Sequence, residues 1–341
     1  MKNKAPDFME LLETFFSEYM PYAAGLSKNT IKSYRYAFRL LFEYLYTERR
    51  ISANKVTFKL LDYDMINSFL LWLETERKCS VATRNMRLAA LTSFANYAQN
   101  RNLEAATVFM GSVKNVPVKR HITKPRTVFT LEEISVLLRL PNSKTTIGMR
   151  DYVMLSLMYA SGARAQEICD LTVRDVQFQK DVTKLTITGK GGKMRRINIA
   201  KPCADLLKEY ILQRGIHNDW GRHIFSSQTH EHMTTSCIEA IFKKYMRLAK
   251  EQNLSLFLEE RYSPHTMRHT TATHMLEAGI PLIAIKNFLG HASVMTTEIY
   301  AELSQSTVNK HIREWNQRWF PLPEKSNAEL TTDNRLPDFL R

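Results

Sequence analysis

Three short motifs late in the chain carry side chains that could act together on a phosphodiester. His265 and Arg268 form a His-x-x-Arg motif directly after Ser-Pro. His291 closes a Leu-Gly-His motif, and Tyr300 follows nine residues later. Together they offer an arginine and two histidines to hold and protonate a phosphate, and a tyrosine as the candidate nucleophile. The order of these motifs predicts one half of an active site in which a tyrosine cuts a phosphodiester.

Such an attack needs more cations than these motifs supply. A guanidinium grips two phosphate oxygens and stays charged, so arginines suit the phosphate. The phenol, with a pKa near 10, must lose its proton, and the departing 5′ oxygen needs an acid. Two earlier cations are candidates: Arg164, after a Ser-Gly break that starts a new helix, and Lys190, at the Gly-rich tip of a predicted hairpin. His265 and Arg268, three residues apart, are expected on one helix face.

A metal or cofactor site is not predicted. The chain has no cluster of carboxylates suited to Mg²⁺, which favours a metal-free reaction without cofactors. His269 and His274 could join His265 as zinc ligands, but their spacing of four and nine residues does not place all three on one helix face. No cysteine or aspartate lies near enough in the sequence to complete such a site.

The charge balance points to a polyanionic partner. The formal net charge is +14, and residues 1–120, with 18 basic and 11 acidic residues, carry half of it. Because both halves are basic, nucleic acid held by two domains is expected rather than a membrane patch. The four cysteines are far apart, which argues against disulfides and zinc ribbons. No signal peptide or apolar span is apparent, so a cytoplasmic protein that does not bind membranes is predicted.

Hydrophobic periodicity predicts a helical N-terminal part and a mixed C-terminal part. Residues 113–128 are predicted to be a basic linker, since they hold two prolines, six Lys, Arg or His residues and no acid. The predicted helices are Asp7–Met20, Ser27–Arg49, Asp64–Arg77, Ser80–Asn100, Arg150–Ala160, Ala163–Leu171, Cys203–Gln213, Ser236–Lys250, Ser263–Gly279 and Pro281–Gly290. A helix is also expected to begin at the Thr130 capping box, and Lys184–Ala200 should form the hairpin. Between Ser80 and Asn100, the residues expected to face inward are Met86, Leu88, Leu91, Phe94 and Tyr97.

Several basic side chains are candidates for contacts with DNA phosphates. They lie on helix faces, in the linker and on the hairpin tip: Lys32, Arg35, Arg84, Arg87, Lys119, Arg120 and Lys193. Phosphate contacts of this kind set the register of a protein on a duplex more than they read its sequence. A solvated protein surface is the alternative explanation for each of them taken singly.

With these residues in view, the chain resembles the tyrosine recombinases, the family of phage-type integrases and Xer-type dimer resolvases. The family signature is Arg…Lys…His-x-x-Arg…His/Trp…Tyr, and the matching positions are Arg164, Lys190, His265, Arg268, His291 and Tyr300. The resemblance covers roughly residues 7–316. Two features depart from the family pattern. After the arginine the family often has a small residue and then Ser, whereas this chain has Ala165-Gln166, and the stretch Glu251–Tyr262 before the His-x-x-Arg motif is somewhat long.

The resemblance implies a fold that is mainly α with a small β-hairpin or sheet. Residues 1–112 would be a helical core-binding domain, 129–320 an α+β catalytic domain and 321–341 a flexible tail. An amphipathic helix near 308–319 would either dock on a neighbouring protomer or fold back on its own domain. The implied partners are double-stranded DNA target sites and further copies of the chain, with four protomers exchanging strands between two duplexes.

The resemblance also implies the reaction. Tyr300 would attack the scissile phosphate and leave a 3′-phosphotyrosine and a free 5′-hydroxyl, which then attacks a partner strand through a Holliday junction. Arg164 and Arg268 would grip the phosphate, and Lys190 would protonate the leaving oxygen. His265 would assist proton transfer, and His291 would donate to a phosphate oxygen.

Several alternatives remain open at this point. Arg164 could be an ion-pair partner of Glu167, and Lys193 competes for the role of Lys190. The stretch Ile280–Tyr300 also resembles a helix-turn-helix, as in a DNA-binding regulator without catalysis. A type IB topoisomerase shares the chemistry. Integration, excision or transposition of a mobile element is favoured over Xer-like dimer resolution, because the polar extension after Pro321 looks like an addition to a minimal resolvase.

Overall fold

The computed structural model describes residues 7–120, 126–180 and 182–290 and divides the chain into two compact units, Met1–Lys124 and Pro125–Arg341. The helices of the first unit are α1 (Phe8–Thr14), α2 (Lys28–Arg49), α3 (Tyr63–Thr75), α4 (Val81–Gln99) and α5 (Leu103–Asn115). The helices of the second are α6 (Leu131–Arg139), α7 (Thr146–Ser161), α8 (Ala165–Cys169), α9 (Lys201–Gln213), α10 (Thr235–Gln252), α11 (Pro264–Glu277) and α12 (Leu282–Leu289). Its antiparallel strands lie in the order β1 (Val176–Phe178), β2 (Thr183–Thr188) and β3 (Met194–Ile199). Within these ranges, no helix is both long and apolar enough to cross a membrane.

Side-chain caps fix the helix starts of the first unit. The Ser27 and Ser80 hydroxyls accept hydrogen bonds from backbone N–H groups three residues on, so α2 and α4 begin where the sequence predicted the two helices to start. Asp62 does the same for α3. These short polar side chains satisfy helix donors that have no partner within the helix.

The prediction that the first helix ends at Met20 is wrong, because the helix continues to Ala23. A π-helix (Phe15–Ala23) continues α1 and includes Pro21. Its wider turn is closed by a bond from the Ala24 N–H to the Tyr19 carbonyl, five residues back. The chain leaves the helix at Gly25, whose φ of 57° suits a glycine.

The core of the first unit is built around one phenylalanine ring. Phe94 on α4 lies 5.3 Å from Phe8, 5.4 Å from Phe15 and 5.3 Å from Phe38, measured between ring centroids. These pairs meet edge to face, the arrangement that aromatic quadrupoles favour. The prediction that Met86 points inward is wrong, because Met86 is exposed. Met86 lies on the exposed side of α4, whereas Arg84, near the start of the helix, lies on its buried side.

The second unit carries the predicted hairpin on its small sheet. The strands β2 and β3 pair over their whole lengths, from Thr183 with Ile199 to Thr188 with Met194. The short strand β1, which the sequence pattern did not predict, adds to the edge of β2. A capping box joins Thr130 and Glu133 at the start of α6, as expected.

The segment Glu251–Tyr262, for which the sequence suggested no role, packs against the start of this unit. The Phe257 N–H donates to the Glu133 carboxylate at 2.7 Å, and the Tyr262 ring stacks on Phe129 at 4.8 Å. Glu133 therefore caps α6 and holds this loop at the same time. The segment positions the backbone that leads into α11.

Candidate active site

Arg164 lies at the N-cap of α8, directly after a tight turn. Gly162 ends α7 in the left-handed region with a φ of 57°. A Cβ at this position would lie 2.5 Å from the Leu289 side chain, so both the backbone and the space call for glycine. Arg164 follows in an extended conformation, and about a third (35%) of its side chain is exposed. Its guanidinium can thus be reached from solvent.

A buried carboxylate holds Arg164 in place. Glu167, one turn along α8, accepts from the Arg164 backbone N–H at 2.9 Å and from the guanidinium at 2.8 Å. The ion-pair alternative for Arg164 is therefore present in the structure. It is compatible with a phosphate site, because an arginine has five N–H donors and Glu167 uses one of them.

Arg268 on α11 is buried and donates to two carbonyl groups. Its guanidinium reaches the Gly162 carbonyl at 2.6 Å and the Leu289 carbonyl at 2.7 Å. It also lies 4.0 Å from Glu167. Arg268 thereby joins the turn before Arg164 to the end of α12, where the Leu-Gly-His motif begins.

His265 stands one turn before Arg268 on the same helix. The residue as a whole is partly open to solvent, but surrounding protein atoms together with Arg268, Arg164 and Arg126 hold the pKa of its ring below the usual value. Desolvation is the largest cause, because it disfavours the charged imidazolium, and the arginines add like-charge repulsion. Because Arg164 lies 2.8 Å from Glu167 and Arg268 lies 4.0 Å from the same carboxylate, the fold brings the part of α11 that carries His265 and Arg268 close to Arg164, about a hundred residues earlier in the sequence.

Lys190 starts a 3₁₀ turn (Lys190–Gly192) at the tip between β2 and β3. Gly191 and Gly192 both have positive φ, and the Gly189 N–H donates to the Lys193 carbonyl at 2.8 Å. The Lys190 side chain lies outside what the structure describes, whereas Lys193 is exposed. Two further candidates, His291 and Tyr300, lie outside the described residues, as does the predicted helix near 308–319.

The sequence motifs did not reveal Arg195. This residue on β3 donates to both oxygens of Glu167, at 3.1 and 2.7 Å, and its Nε donates to the Phe288 carbonyl at 2.9 Å. Strand alternation could have identified it, because Arg195 shares the inward face of β3 with Ile197 and Ile199. A charged residue at an inward position indicates a buried partner.

The other two histidines of α11 have protein partners. A guanidinium nitrogen of Arg126 lies 3.3 and 3.4 Å from the two ring nitrogens of His269. His274 lies between the Tyr159 hydroxyl at 2.9 Å and the Phe129 carbonyl at 3.0 Å. Since the carbonyl can only accept, His274 donates from Nε2 and accepts from Tyr159 at Nδ1. In the part of the chain that the structure describes, no group of three or more His, Cys, Asp or Glu residues is arranged to hold a metal ion.

The candidate DNA contacts of the first unit divide into exposed and buried residues. Lys32 and Arg35 on α2 are exposed, as are Lys119 and Arg120 after α5. Arg84, by contrast, is only 1% exposed and donates to the Pro117 carbonyl at 2.8 Å. Burial lowers the pKa of Arg84, an effect that Glu74 opposes.

Arg87 is also mostly buried, and it helps to form a groove beside α2. It donates to the Ser33 carbonyl at 3.2 Å, and its guanidinium lies 4.9 Å from the centre of the Tyr36 ring. The groove is lined by Asn29, Lys32, Ser33, Arg35, Tyr36, Arg39 and Arg87. The structure therefore places Arg87 beside Lys32 and Arg35, and uses Arg84 to hold the chain after α5.

Comparison with known proteins gives the family. The phage integrase family model matches residues 127–307, and the phage integrase SAM-like domain matches residues 7–109. An integrase/recombinase of Sinorhizobium fredii is 33% identical over 294 residues, which cover 86% of each chain. The tyrosine recombinase XerC of Syntrophus aciditrophicus is 28% identical over 308 residues, covering 87% of this chain and 94% of the relative.

A solved structure shows the same fold. The XerH site-specific recombinase, bound to its palindromic difH substrate in a post-cleavage complex, aligns with a TM-score of 0.68. The alignment covers 86% of this chain and 82% of XerH at 21% identity. Taken with the matches along both units, these findings show that the chain belongs to the phage integrase family and is a tyrosine recombinase.

Proposed function

We propose that this chain is a site-specific recombinase that integrates, excises or transposes a mobile element. It cleaves each DNA strand through a 3′-phosphotyrosine and exchanges strands through a Holliday junction. The observation that carries the proposal is that Arg164 and Arg268 both lie at the Glu167 carboxylate, with His265 one turn before Arg268 on α11. Three groups able to bind or protonate a phosphate are thus brought near one another from two distant parts of the sequence.

Each residue has a definite task in this reaction. Tyr300 attacks the phosphate, while Arg164 and Arg268 neutralise the charge that grows on its oxygens. Lys190 protonates the departing 5′ oxygen, and His265 takes part in the proton transfer from the phenol. His291 donates a hydrogen bond to a phosphate oxygen. This set requires no metal ion, because cations of the chain take over the neutralisation of charge.

The DNA partner fits the surface of the first unit. The exposed residues Lys32, Arg35 and Arg39 line the groove beside α2, and phosphate contacts by such residues make affinity fall steeply with salt. On two duplexes the active assembly is a homotetramer, and the protein acts in the cytoplasm, where its DNA targets lie. The XerH complex with DNA supports this partner by family likeness.

The second candidate function is resolution of chromosome or plasmid dimers. The XerC relative and the XerH fold favour it, whereas the Sinorhizobium integrase/recombinase favours the mobile-element role. Both functions use the same chemistry, so the DNA target distinguishes them.

Sequencing the DNA that becomes covalently attached to the protein in its host tests this choice. Attached ends that map to the borders of one mobile element are the expected result. Ends at a single chromosomal site shared by all strains would show dimer resolution instead. A Tyr300→Phe variant serves as the background control.

Joining of two different duplexes by the purified protein tests the reaction class. The substrate is the DNA sequence found covalently attached to the protein in its host, called the captured target DNA. We expect recombinant products from it. Relaxation of supercoils without any joined product would identify a topoisomerase. Binding without cleavage would identify a regulator of the helix-turn-helix type.

A further inference from the structure

Arg195 connects two segments of the candidate site. Its guanidinium grips both oxygens of Glu167, and its Nε holds the Phe288 carbonyl at the end of α12. Only 9% of the Arg195 side chain and 4% of the Glu167 side chain are exposed. A forked pair of this kind fixes both distance and orientation, which a single ammonium does not.

The same ion pair lies under the base of the hairpin tip. Arg195 pairs across the sheet with Ile187, two residues before Gly189. A Cβ at Gly189 would lie 3.3 Å from a Glu167 oxygen and 3.9 Å from the Arg195 guanidinium. The backbone that leads into Lys190 therefore rests directly on the Glu167–Arg195 pair.

Arg195 also packs against the residue that precedes His291. Gly290 has a φ of 69°, and a Cβ there would lie 2.9 Å from the Arg195 Cδ. The arginine thus occupies the space that a larger residue at position 290 would need. From its position on β3, one side chain consequently contacts Glu167 and the end of α12 and lies beside Gly189 at the base of the hairpin tip.

The geometry points to Arg195 as a positioning residue that, together with Glu167, holds the hairpin so that Lys190 meets the scissile phosphate beside Arg164 and Arg268. It does not touch the DNA itself. This inference rests on the proposed function, since it assigns Arg195 a part in the step in which Lys190 protonates the leaving oxygen. Arg196, the next residue, points to solvent and has no part in it.

A leaving group that needs no proton separates this role from a purely structural one. Sulfur in place of the bridging 5′ oxygen departs as a thiolate, because a thiol has a pKa of only about 8.5. Loss of a correctly placed acid should therefore slow cleavage of the oxygen substrate and not of the sulfur substrate. A change that displaces Arg164 from the phosphate, or that unfolds the protein, should slow cleavage of both substrates.

The experiment compares Arg195→Lys with the matched change Arg196→Lys. Lysine keeps the charge beside Glu167 but lacks the planar fork that bonds both carboxylate oxygens while a third nitrogen bonds the Phe288 carbonyl. We expect Arg195→Lys to slow single-turnover cleavage of the oxygen substrate about 10²-fold, within the range that a general acid contributes. Cleavage of the sulfur substrate, DNA affinity and the thermal midpoint should stay near those of the wild type. Arg196→Lys should match the wild type on both substrates, and Lys190→Ala should show the same sulfur rescue as Arg195→Lys.

Several outcomes would overturn the inference. An equal loss on both substrates would mean that Arg195 acts through the phosphate-binding arginines or the fold. If Arg195→Lys cleaved the oxygen substrate at the wild-type rate, or if Arg196→Lys lost as much activity, Arg195 would have no special role. If Lys190→Ala is not rescued by sulfur, Lys190 is not the acid and the inference fails with it. Failure of the proposed function looks different, because the wild type would then form no phosphotyrosine with either substrate.

Discussion

Glu167 binds Arg164 through both of its carboxylate oxygens, one to the guanidinium at 2.8 Å and the other to the backbone N–H at 2.9 Å. Burial alone would raise the pKa of this carboxyl, but hydrogen bonds from Arg195 and Arg164 outweigh burial and hold the pKa below its usual value. The carboxylate is therefore ionised at neutral pH. The negative charge of Glu167 offsets the mutual repulsion of Arg164, Arg195 and Arg268, so these three side chains can lie close together.

Replacing Glu167 by glutamine should destabilise the protein. The amide keeps the shape but leaves the buried Arg195 without its counter-charge, which costs about 3–5 kcal/mol for a buried pair. Denaturant unfolding at pH 7 measures the loss. Because the folded-state pKa of Glu167 is lowered, its stabilising effect is present above the unfolded pKa and fades as the pH falls through the lowered folded value. The difference between wild type and variant should shrink in the same direction.

The matched control for that change is Glu231→Gln. Glu231 pairs with Arg222, and both side chains are more than a third exposed. Such pairs contribute at most about 1 kcal/mol. A similar loss in both variants would contradict the central role of Glu167.

Replacing Arg268 by lysine should slow cleavage much more than it weakens DNA binding. Lysine keeps a positive charge but loses the fork that bonds the Gly162 and Leu289 carbonyls. Removal of one donor to a transition state typically costs about 10²–10³ in rate. Single-turnover cleavage and DNA titration measure the two effects, with Arg261→Lys, at a highly exposed position, as the control. Equal losses in rate and affinity would mean that Arg268 only anchors DNA.

Cleavage should depend on the protonation of His265. Desolvation and the neighbouring arginines lower its pKa, so the ring is neutral at pH 7 and gains a proton only below its usual pKa of about 6.5. If the neutral ring takes part in removing the phenol proton, the cleavage rate should fall as the pH drops through that lowered value. A pH–rate profile checks this, and the acid limb should vanish in His265→Asn. A limb that persists unchanged in this variant would assign the titration to another group.

The Gly290→Ala variant should lose more cleavage activity than its backbone strain explains. A Cβ at Gly290 meets the Arg195 Cδ at 2.9 Å, in addition to the cost of a φ of 69°. Gly215→Ala is a matched control, because Gly215 has a φ of 67° with nothing within 4 Å of the added Cβ. A left-handed conformation costs a non-glycine residue about 1–2 kcal/mol. Both variants should lose about this much stability, and only Gly290→Ala should cleave DNA more slowly. Equal cleavage rates in the two variants would contradict the importance of the Arg195 contact.

Local signals in the sequence identified the elements that carry the site. Capping residues such as Ser80 and Thr130, and the Ser-Gly break before Arg164, act within a few residues, so they can be read without tertiary information. The hairpin was predicted because alternation and a Gly-rich tip are also local. The motifs predict a common site for Arg164, His265 and Arg268, and the structure places Arg164 and Arg268 at the same Glu167 carboxylate, with His265 one turn before Arg268 on α11.

The roles of buried polar groups could not be read in this way. Arg84 lies on the apolar stripe of α4 because a carbonyl from Pro117 completes its environment, and this partner is distant in the sequence. Arg195 depends in the same way on Glu167 and Phe288. Pro21 continues a helix because a π turn forms around it, which pattern rules for α-helices do not include. Each of these depends on three-dimensional partners rather than on local propensity.

Identification of the residue that becomes attached to DNA tests the account most directly. The purified protein is incubated with the captured target DNA, nicked beside the cleavage site so that the adduct accumulates. Protease digestion and mass spectrometry then locate the modified residue. We predict a 3′-phosphate linked to Tyr300 with a free 5′-hydroxyl on the other strand end, and no adduct with Tyr300→Phe although DNA binding persists. An adduct on another residue, a 5′-linkage, or cleavage by Tyr300→Phe would contradict the account.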